Sequence, residues 1–415
     1  MTAVPWLTTA AHHRWLEGET DRLLSFAPAA AHPDGGFGWL GTTGDLDRDR
    51  PVELWITCRM THVAALGHLL GRPGCAGLLD HGVRALAGPF LDRRNGGWHS
   101  AGPGTDRAAG HGAVKGAYEH AFVVLATSSA TVAGHPDAPA LLERALTALM
   151  DRFWEEDHSL VADVWDPATG RLDPYRGVNA NMHTVEALLA AVDATGESAW
   201  LARALDITRR VVDGFAQAHR WRIPEHFDAQ WRPLLDYHRD RPADPFRPYG
   251  ATIGHWLEWA RLCLHLRAAL GPQQAPDWLL PHARSLFDAS VREGWAVDGA
   301  PGFVYTVGWE GQPVVRERMH WVAAEAVATA AALWAATSEP EYARWYEVWW
   351  DHIARVFIDR EDGSWHHELD AANRVSATVW PGKPDLYHAV QATLLPRLPL
   401  SMSVAAGLAA GLLTH

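Results

Sequence analysis

The feature that most constrains this sequence is a regular alternation of helical segments with connections of two lengths. Hydrophobic residues recur at helical spacing in twelve segments, and alternation of the β type is scarce. Connections from odd to even helices are long and rich in Gly, Trp and Asp, whereas those from even to odd helices are short. The predicted helices span residues 8–27, 51–70, 76–90, 112–132, 137–153, 181–195, 197–218, 250–268, 276–291, 318–336, 340–358 and 385–397.

A repeated phrase marks the long connections. It reads Asp34-Gly35-Gly36-Phe37-Gly38-Trp39, Asn95-Gly96-Gly97-Trp98-His99 and Asp362-Gly363-Ser364-Trp365-His366, with a looser echo at residues 227–231. Polar or aromatic residues near the starts of the even helices recur about every 65 residues, as expected for a repeated supersecondary unit. These markers are Arg59, Tyr118, His183, His255, His320 and His388.

Six helical hairpins of this kind can close into a ring, so we predict an all-α fold, an (α/α)6 barrel. The even helices carry few charges, as helices packed on several sides must, and are expected to form the inner layer. Their N-termini and the long loops would then open at one end, which places the active site at that mouth. We expect one domain over residues 1–415, with the apolar tail 398–415 packed on it as a helix.

Composition excludes several classes of partner. The net charge of −13 and the lack of a Lys/Arg-dense segment argue against nucleic acid. Three scattered cysteines without CxxC spacing predict neither a disulfide framework nor a thiolate zinc site. The first residues lack the pattern of a signal peptide, and the apolar tail is too short to predict a membrane span. We therefore expect a cytoplasmic protein without a membrane partner, of undetermined oligomeric state.

Three inner helices repeat a histidine followed three residues later by a carboxylate or amide. Residues at this spacing share one helix face, so each pair is expected to point into one cavity, where the second residue accepts the proton of one ring nitrogen. The histidines lie in the first helical turns, where the helix dipole and free N–H groups favour negative charge. The pairs are His183 with Glu186, His255 with Glu258, and His388 with Gln391.

This arrangement suits proton transfer on a sugar. Histidine is the natural acid or base at neutral pH, and many of the 22 tryptophans could serve a helical core or a sugar site. Isomerisation of an aldose requires a base at C2 and donors that stabilise the enediolate, and Arg59, Tyr118 and Asn179 are candidates for the donors. Each of these residues has a plain structural alternative, as a member of a buried polar network or of the core.

Three other readings compete with this one. The two His–x–x–Glu pairs are similar to the Glu–x–x–His pairs of di-iron bundles in reverse order, but the second additional carboxylate beside Glu325 is missing, so we predict no metal. A glycoside hydrolase or a polysaccharide lyase on the same type of barrel is the second. An inverting hydrolase would need two carboxylates across the scissile bond, for which Glu258 and Glu325 are candidates. A catalytically silent sugar-binding protein is the third. Motifs for dinucleotides and ATP are absent, and no cofactor is predicted.

Several phrases together resemble the N-acylglucosamine 2-epimerase superfamily, and within it the branch of the mannose and sulfoquinovose isomerases. The resemblance extends from about residue 10 to residue 397. Its more specific phrases are Gly254-His255-Trp256-Leu257-Glu258-Trp259 and Pro384-Asp385-Leu386-Tyr387-His388, and its weaker ones lie at residues 59–62, 116–122, 179–183 and 247–253.

The resemblance implies an (α/α)6 barrel that interconverts aldoses and ketoses through an enediol without cofactor or metal. It implies that His388 acts at C1 and C2 and that His255 opens the ring or moves the complementary proton, although the two roles could be exchanged. His183 is the third catalytic candidate. The residues expected to bind substrate are Arg59, Tyr118, Asn179, Glu258, Glu325, Trp321 and Arg247.

The preferred reaction is D-mannose to D-fructose on a free monosaccharide, with D-lyxose and D-xylulose as related sugars. A mannose/glucose 2-epimerase and a sulfoquinovose isomerase are the alternatives within the superfamily. For the last of these, Arg247 or Arg374 could contact a sulfonate.

Overall fold

The computed structural model describes residues 4–102 and 114–415, and within these ranges thirteen α-helices carry the fold. They are α1 (Ala10–Phe26), α2 (Leu54–Leu69), α3 (Cys75–Ala87), α4 (Ala117–Val132), α5 (Ala138–Phe153), α6 (Val178–Thr195), α7 (Ala199–Thr208), α8 (Ile253–Leu270), α9 (Leu279–Gly294), α10 (His320–Thr337), α11 (Pro340–Val356), α12 (Tyr387–Leu394) and α13 (Val404–Ala409).

All twelve predicted helices are present, with shifted boundaries. Helix α4 begins at Ala117, whereas the prediction began at residue 112; residues 112 and 113 lie outside the described part of the chain. Helix α6 begins three residues earlier than predicted, at Val178. The predicted helix 197–218 ends as α7 at Thr208 and continues as a π-helical segment, Arg209–Ala216.

The even helices form a closed inner ring. Each packs against the next in the order α2, α4, α6, α8, α10, α12, and α12 returns to α2. The odd helices lie outside, with α3, α5, α7, α9 and α11 each packed on the inner helix before it and α1 on α12. The sequences explain the two layers. Helix α10 is apolar and buried on almost every side, whereas α11 buries an apolar face and exposes the opposite, polar face. The predicted (α/α)6 barrel is confirmed.

The long connections meet at one end of the ring, where short strands link neighbouring connections. Inner helices α4, α6, α8 and α10 each begin directly after a strand, and antiparallel pairs join β1 to β4, β6 to β7, β8 to β9 and β11 to β12. Strands of two or three residues are too short for a periodic sequence signal. They are β1 (Lys115–Gly116), β2 (Trp154–Glu155), β3 (Leu160–Val161), β4 (Val164–Asp166), β5 (Arg171–Leu172), β6 (Arg176–Gly177), β7 (His226–Phe227), β8 (Ala251–Thr252), β9 (Thr306–Val307), β10 (Pro313–Val315), β11 (Arg318–Met319) and β12 (Glu368–Leu369).

The repeated Gly-Trp phrase has a structural role in two of its copies. Trp98 and Trp365 are fully buried and belong to the core. Asp92, just before one phrase, accepts hydrogen bonds from two following backbone N–H groups and pairs with Lys115 at 2.7 Å. Asp359 does the same before the other phrase and pairs with Lys383 at 2.5 Å. Each phrase therefore anchors a connection to the segment that leads into an inner helix.

The C-terminal segment closes the other end of the ring. Helix α13 packs against α2, α4 and α6, and the Ser403 N–H donates to Asp193 near the C-terminus of α6 at 2.6 Å. In the described ranges, none of the helices combines the length and the apolar character that crossing a bilayer requires.

Candidate active site

A pocket opens at the mouth of the ring, where the inner helices begin. Every inner helix contributes to it, because the N-terminal turns of all six converge there. Eight of the ten residues predicted from the sequence line this pocket, namely Arg59, Tyr118, Asn179, His183, His255, Glu258, Trp321 and His388. The other two lie next to it: Glu325 stands behind His388, and Arg247 lines a wider cavity outside.

His255, in the first turn of α8, is held by a carboxylate from a neighbouring connection. Both carboxylate oxygens of Glu225 lie 3.0 Å from Nδ1 of His255. Glu225 is buried and also accepts the backbone N–H of Thr252 at 3.4 Å. The Nδ1 proton of His255 is thereby engaged, and among the described residues none occupies Nε2 with a hydrogen bond.

His388, in the first turn of α12, has an equivalent arrangement. Its Nδ1 lies 3.1 Å from Oε1 of Glu325 on α10, and Glu325 also accepts hydrogen bonds from Arg261 on α8 at 2.8 and 3.3 Å. Burial lowers the pKa of His388, although Glu325 opposes this effect. The Arg261 guanidinium lowers the pKa of Glu325 despite burial, so the carboxylate remains charged.

His183 lies deeper, beside two carboxylates. Its Nδ1 is 3.5 Å from Glu186 and 3.8 Å from Glu258. Burial lowers the pKa of His183 to about 4, so the ring is neutral at pH 7. Burial, reinforced by the charge of Glu325, raises the pKa of Glu258 well above its usual range, and one of its oxygens has no hydrogen-bond partner among the described residues.

The expectation that each histidine is oriented by the residue three positions later is wrong for two of the three pairs. Glu225 replaces Glu258 as the partner of His255, and Glu325 replaces Gln391 as the partner of His388. Gln391 instead donates to Glu186 at 3.2 Å. Adjacent inner helices and connections approach the rings more closely than the next turn of the same helix does, which sequence spacing cannot show.

The indole of Trp321 lies between the imidazoles of His255 and His388. Its ring centroid lies 5.3 Å from that of His255 and 5.6 Å from that of His388. Gly254 makes this position possible, because a Cβ atom there would lie 2.2 Å from the indole ring. The glycine in the first turn of α8 thus permits a close approach of α10, which sets the spacing of the two imidazoles.

Arg59 supplies fixed positive charge to the pocket. Its guanidinium donates to Asp385 at 3.1 Å and to the Tyr118 hydroxyl at 2.9 Å. Burial raises the pKa of Tyr118, so the phenol keeps its proton. Because that hydroxyl accepts from Arg59, its own proton is available as a donor towards the pocket. This pair can hold sugar oxygens that gain negative charge.

A second cavity of about 730 Å³ lies outside the pocket, and Trp55, Tyr118, Asn179 and Phe246 line both. Arg247 lines the outer cavity only, where it lies 3.6 Å from Asp163 and 3.8 Å from the ring centroid of Tyr175. Arg374 is exposed, pairs with Asp370 and lies away from both cavities. Neither arginine is therefore an unpaired cation in the inner pocket.

In the described part of the chain, one group of side chains has donors for a metal ion. Single ligand atoms of His183, Glu186 and Glu258 lie within 4.8 Å of one another. The set fits a cation poorly, because Arg261 already places a positive charge 3.4 Å from Glu258 and Glu186 is engaged by Tyr387 and Gln391. A di-iron site would require His255 to act as a ligand together with Glu258, but His255 is instead bonded to Glu225.

Four residues of the site were missed in the sequence. Arg261 carried a weak signal, as a charged residue three positions after Glu258 in the middle of an inner helix. Asp385 and Tyr387 lie inside the phrase that ends in His388, but no spacing rule singled them out. Glu225 carried no signal, because it lies in an irregular connection and reaches His255 only through the packing of that connection against α8.

Comparison with known proteins shows a likeness over most of the chain. Residues 35–392 match the N-acylglucosamine 2-epimerase (GlcNAc 2-epimerase) family. A D-mannose isomerase of Thermobifida fusca is 51% identical over 405 residues, covering 97% of this chain and 98% of that protein. One from Pseudomonas cannabina pv. alisalensis is 50% identical over 407 residues, covering 97% of both. A crystal structure of a D-mannose isomerase superposes with a TM-score of 0.85 at 28% identity, covering 92% of this chain and 96% of that one.

Proposed function

The chain belongs to the N-acylglucosamine 2-epimerase family, and we propose that it is a D-mannose isomerase in which two histidines move a proton between C2 and C1 of the open-chain sugar. One observation carries this proposal. His255 and His388 line a single pocket, each is tied through Nδ1 to a carboxylate, and no described residue forms a hydrogen bond with Nε2 of either ring. The two relatives at about half identity, both D-mannose isomerases, support the choice of substrate.

The reaction begins with ring opening. The proton of O1 leaves, O5 receives a proton, the C1–O5 bond breaks and C1=O1 forms. His255 is suited to this exchange between oxygens, because Nε2 can accept one proton while the Glu225 carboxylate stabilises the imidazolium. The product of this step is the open-chain aldose, whose C2–H bond is activated by the adjacent carbonyl.

His388 is suited to the carbon chemistry. Its Nε2 removes the proton from C2, the C2–H electron pair forms C1=C2, and the carbonyl electrons move to O1. His255 accepts the proton of O2 at Nε2 and delivers it to O1. The electrons left on O2 then form C2=O2, and the C1=C2 electrons take the proton back from His388 at C1. Glu325, fixed by Arg261, holds the ring in one orientation throughout. A positioned histidine of this kind contributes roughly 10²–10⁴-fold to the rate.

Arg59 and Tyr118 are suited to stabilising the enediolate. The guanidinium is locked by Asp385 and the phenol is locked by the guanidinium, so both donors are oriented before substrate binds. Preorganised donors in a site with little water contribute on the order of several kcal/mol to such transition states. Asn179 lines the same wall, and its Oδ1 has no partner among the described residues, which leaves it for a sugar hydroxyl.

The arrangement of carboxylates does not support a glycoside hydrolase. Glu325 is bonded to both Arg261 and His388 and lies behind the pocket wall, so it is not placed to activate a water molecule. An inverting hydrolase needs a second carboxylate facing the scissile bond across from the acid. Asp385 also lines the pocket but is paired with Arg59 at 3.1 Å, and Glu258 alone cannot supply both groups.

Incubation of mannose in D₂O tests the proposal. Isomerisation yields fructose with deuterium at C1 wherever the transferred proton exchanges with solvent, and NMR spectroscopy locates the label. Epimerisation instead yields glucose labelled at C2 without a preceding fructose pool. Accumulation of labelled glucose alone, or no turnover of mannose by the folded protein, would overturn the proposed reaction.

A further inference from the structure

The two histidine–carboxylate pairs at the mouth differ in how their carboxylates are neutralised. Glu325 shares its charge between His388 and Arg261. Glu225 contacts His255 through both oxygens, and among the described residues no lysine or arginine forms an ion pair with it. The repeated sequence pattern does not predict this difference between the two carboxylates, because Glu225 lies in a connection and Glu325 on an inner helix.

We propose that Glu225 is a positioning residue that fixes the Nδ1–H tautomer of His255 and supplies the counter-charge for its imidazolium, which makes His255 the proton carrier between sugar oxygens. The inference rests on the proposed function and deepens it by naming the residue that fits His255 to proton transfer between oxygens. His388, whose carboxylate is already balanced by Arg261, remains the neutral base that acts on carbon.

The geometry supports a positioning role rather than contact with substrate. Glu225 is 5% exposed and does not line the pocket, whereas His255 does. The backbone N–H of Thr252, the residue directly before α8, also donates to Glu225 and ties the carboxylate to the start of the helix that carries His255. Because the carboxylate is bonded both to the Thr252 backbone and to Nδ1 of His255, it holds the ring in one orientation. Nε2 is then the ring nitrogen directed to substrate.

Among the other charged or titratable groups that line the pocket, Asp385 is paired with Arg59 at 3.1 Å, so Glu225 remains the unbalanced anion beside His255. Burial raises the pKa of Glu258, on α8 itself, and that of Tyr305, ahead of α10, so both are neutral. Burial lowers the pKa of His320 on α10 to about 3 and that of His183 on α6 to about 4, so these rings carry no charge at pH 7. Burial also lowers the pKa of His388 on α12.

Two substitutions separate the charge from the hydrogen bond. Glu225→Gln keeps an oxygen that accepts from Nδ1 but removes the counter-charge. We expect kcat to fall about 100-fold with KM changed less than about threefold, and the acidic limb of the kcat/KM profile to move about one pH unit lower. Glu225→Leu removes the acceptor as well and should cost at least a further factor of about ten. Glu225→Asp should recover part of the Glu225→Gln loss.

Controls distinguish this inference from the proposed function and from a folding defect. Glu310→Gln, an exposed change on the connection ahead of α10, should leave kcat and the pH profile unchanged. The wild-type protein is assayed first with mannose in D₂O, since failure there overturns the isomerase itself. If the wild type isomerises mannose but folded Glu225→Gln keeps its kcat and its acidic limb, the role of Glu225 is refuted. The ¹⁵N shifts of His255 in the wild type provide a test without mutation, because an Nε2–H tautomer contradicts the inference.

Discussion

Nδ1 of His388 lies 3.1 Å from a carboxylate oxygen of Glu325, although 63 residues separate them in the chain. The contact exists because α10 and α12 are neighbours in the inner ring, and Arg261 on α8 completes it from the other side of α10. The proposed base is therefore oriented by three successive inner helices, so its geometry depends on closure of the ring.

Replacing His388 by Asn should lower kcat at least about 100-fold, because the amide keeps part of the volume but cannot carry the proton. Steady-state assays with mannose measure the loss, and circular dichroism with thermal melting checks the fold. A folded variant that retained most of its activity would contradict the role assigned to His388.

Replacing Gly254 by Ala should displace Trp321, since the added Cβ would lie 2.2 Å from the indole. Overpacking of this kind costs about 1–3 kcal/mol of stability, and we expect kcat/KM to fall at least about tenfold because Trp321 spaces the histidines. Gly77→Ala in the outer helix α3 is the matched control, because its Cβ meets nothing within 4 Å. The control should be as active as the wild type. If Gly254→Ala were equally active, Trp321 would not set the spacing of the two histidines.

Exhaustive treatment with EDTA should leave the rate of mannose isomerisation unchanged. The donor group His183, Glu186 and Glu258 has a guanidinium beside it, which disfavours a bound cation. Metal content by mass spectrometry, measured before and after chelation, accompanies the assay. Loss of activity that a single added metal restores would show that this group binds a catalytic ion.

Sugars with an anionic group at C6 should be poor substrates, with kcat/KM for mannose 6-phosphate at least about 100-fold below that for mannose. Arg247 in the outer cavity is balanced by Asp163, and burial raises the pKa of Asp163 to about 6, which leaves it mainly ionised at pH 7.5. Asp163→Asn removes the charge that balances Arg247. It should reduce the difference in kcat/KM between mannose and mannose 6-phosphate about tenfold, whereas the exposed control Asp277→Asn should not. Efficient turnover of the phosphate or of a 6-sulfonated sugar by the wild type would contradict this selectivity.

Stability should fall as the pH drops from about 6.5 to about 4. Burial lowers the pKa of His62 to about 4, and it acts in the same direction on His120, His183 and His265. The unfolded chain therefore binds more protons across this window, so acid favours unfolding, by up to about 3 kcal/mol for each such histidine. Urea unfolding at several pH values measures the slope. His62→Gln should reduce the dependence of the unfolding free energy on pH, whereas the exposed control His68→Gln should not. An unchanged dependence in His62→Gln would show that His62 does not contribute to the loss of stability in acid.

The amino-acid sequence by itself determined the barrel and most of the pocket lining. Helical periodicity, the alternation of long and short connections and the recurrence of markers such as Arg59 and His255 required six hairpins with their polar helix starts at one end. These signals are local or periodic, so they survive without knowledge of packing. Eight of the ten predicted residues line the pocket for this reason.

Only the tertiary structure decided which groups orient the histidines. The pairs His255–Glu225 and His388–Glu325 join residues 30 and 63 positions apart, and the close approach of Trp321 to Gly254 likewise joins two inner helices. Spacing along one helix predicted Glu258 and Gln391 instead, because it describes a helix face and not the neighbour that packs on it. Hydrogen bonds between elements depend on distances of a few tenths of an ångström, which are set when the ring closes.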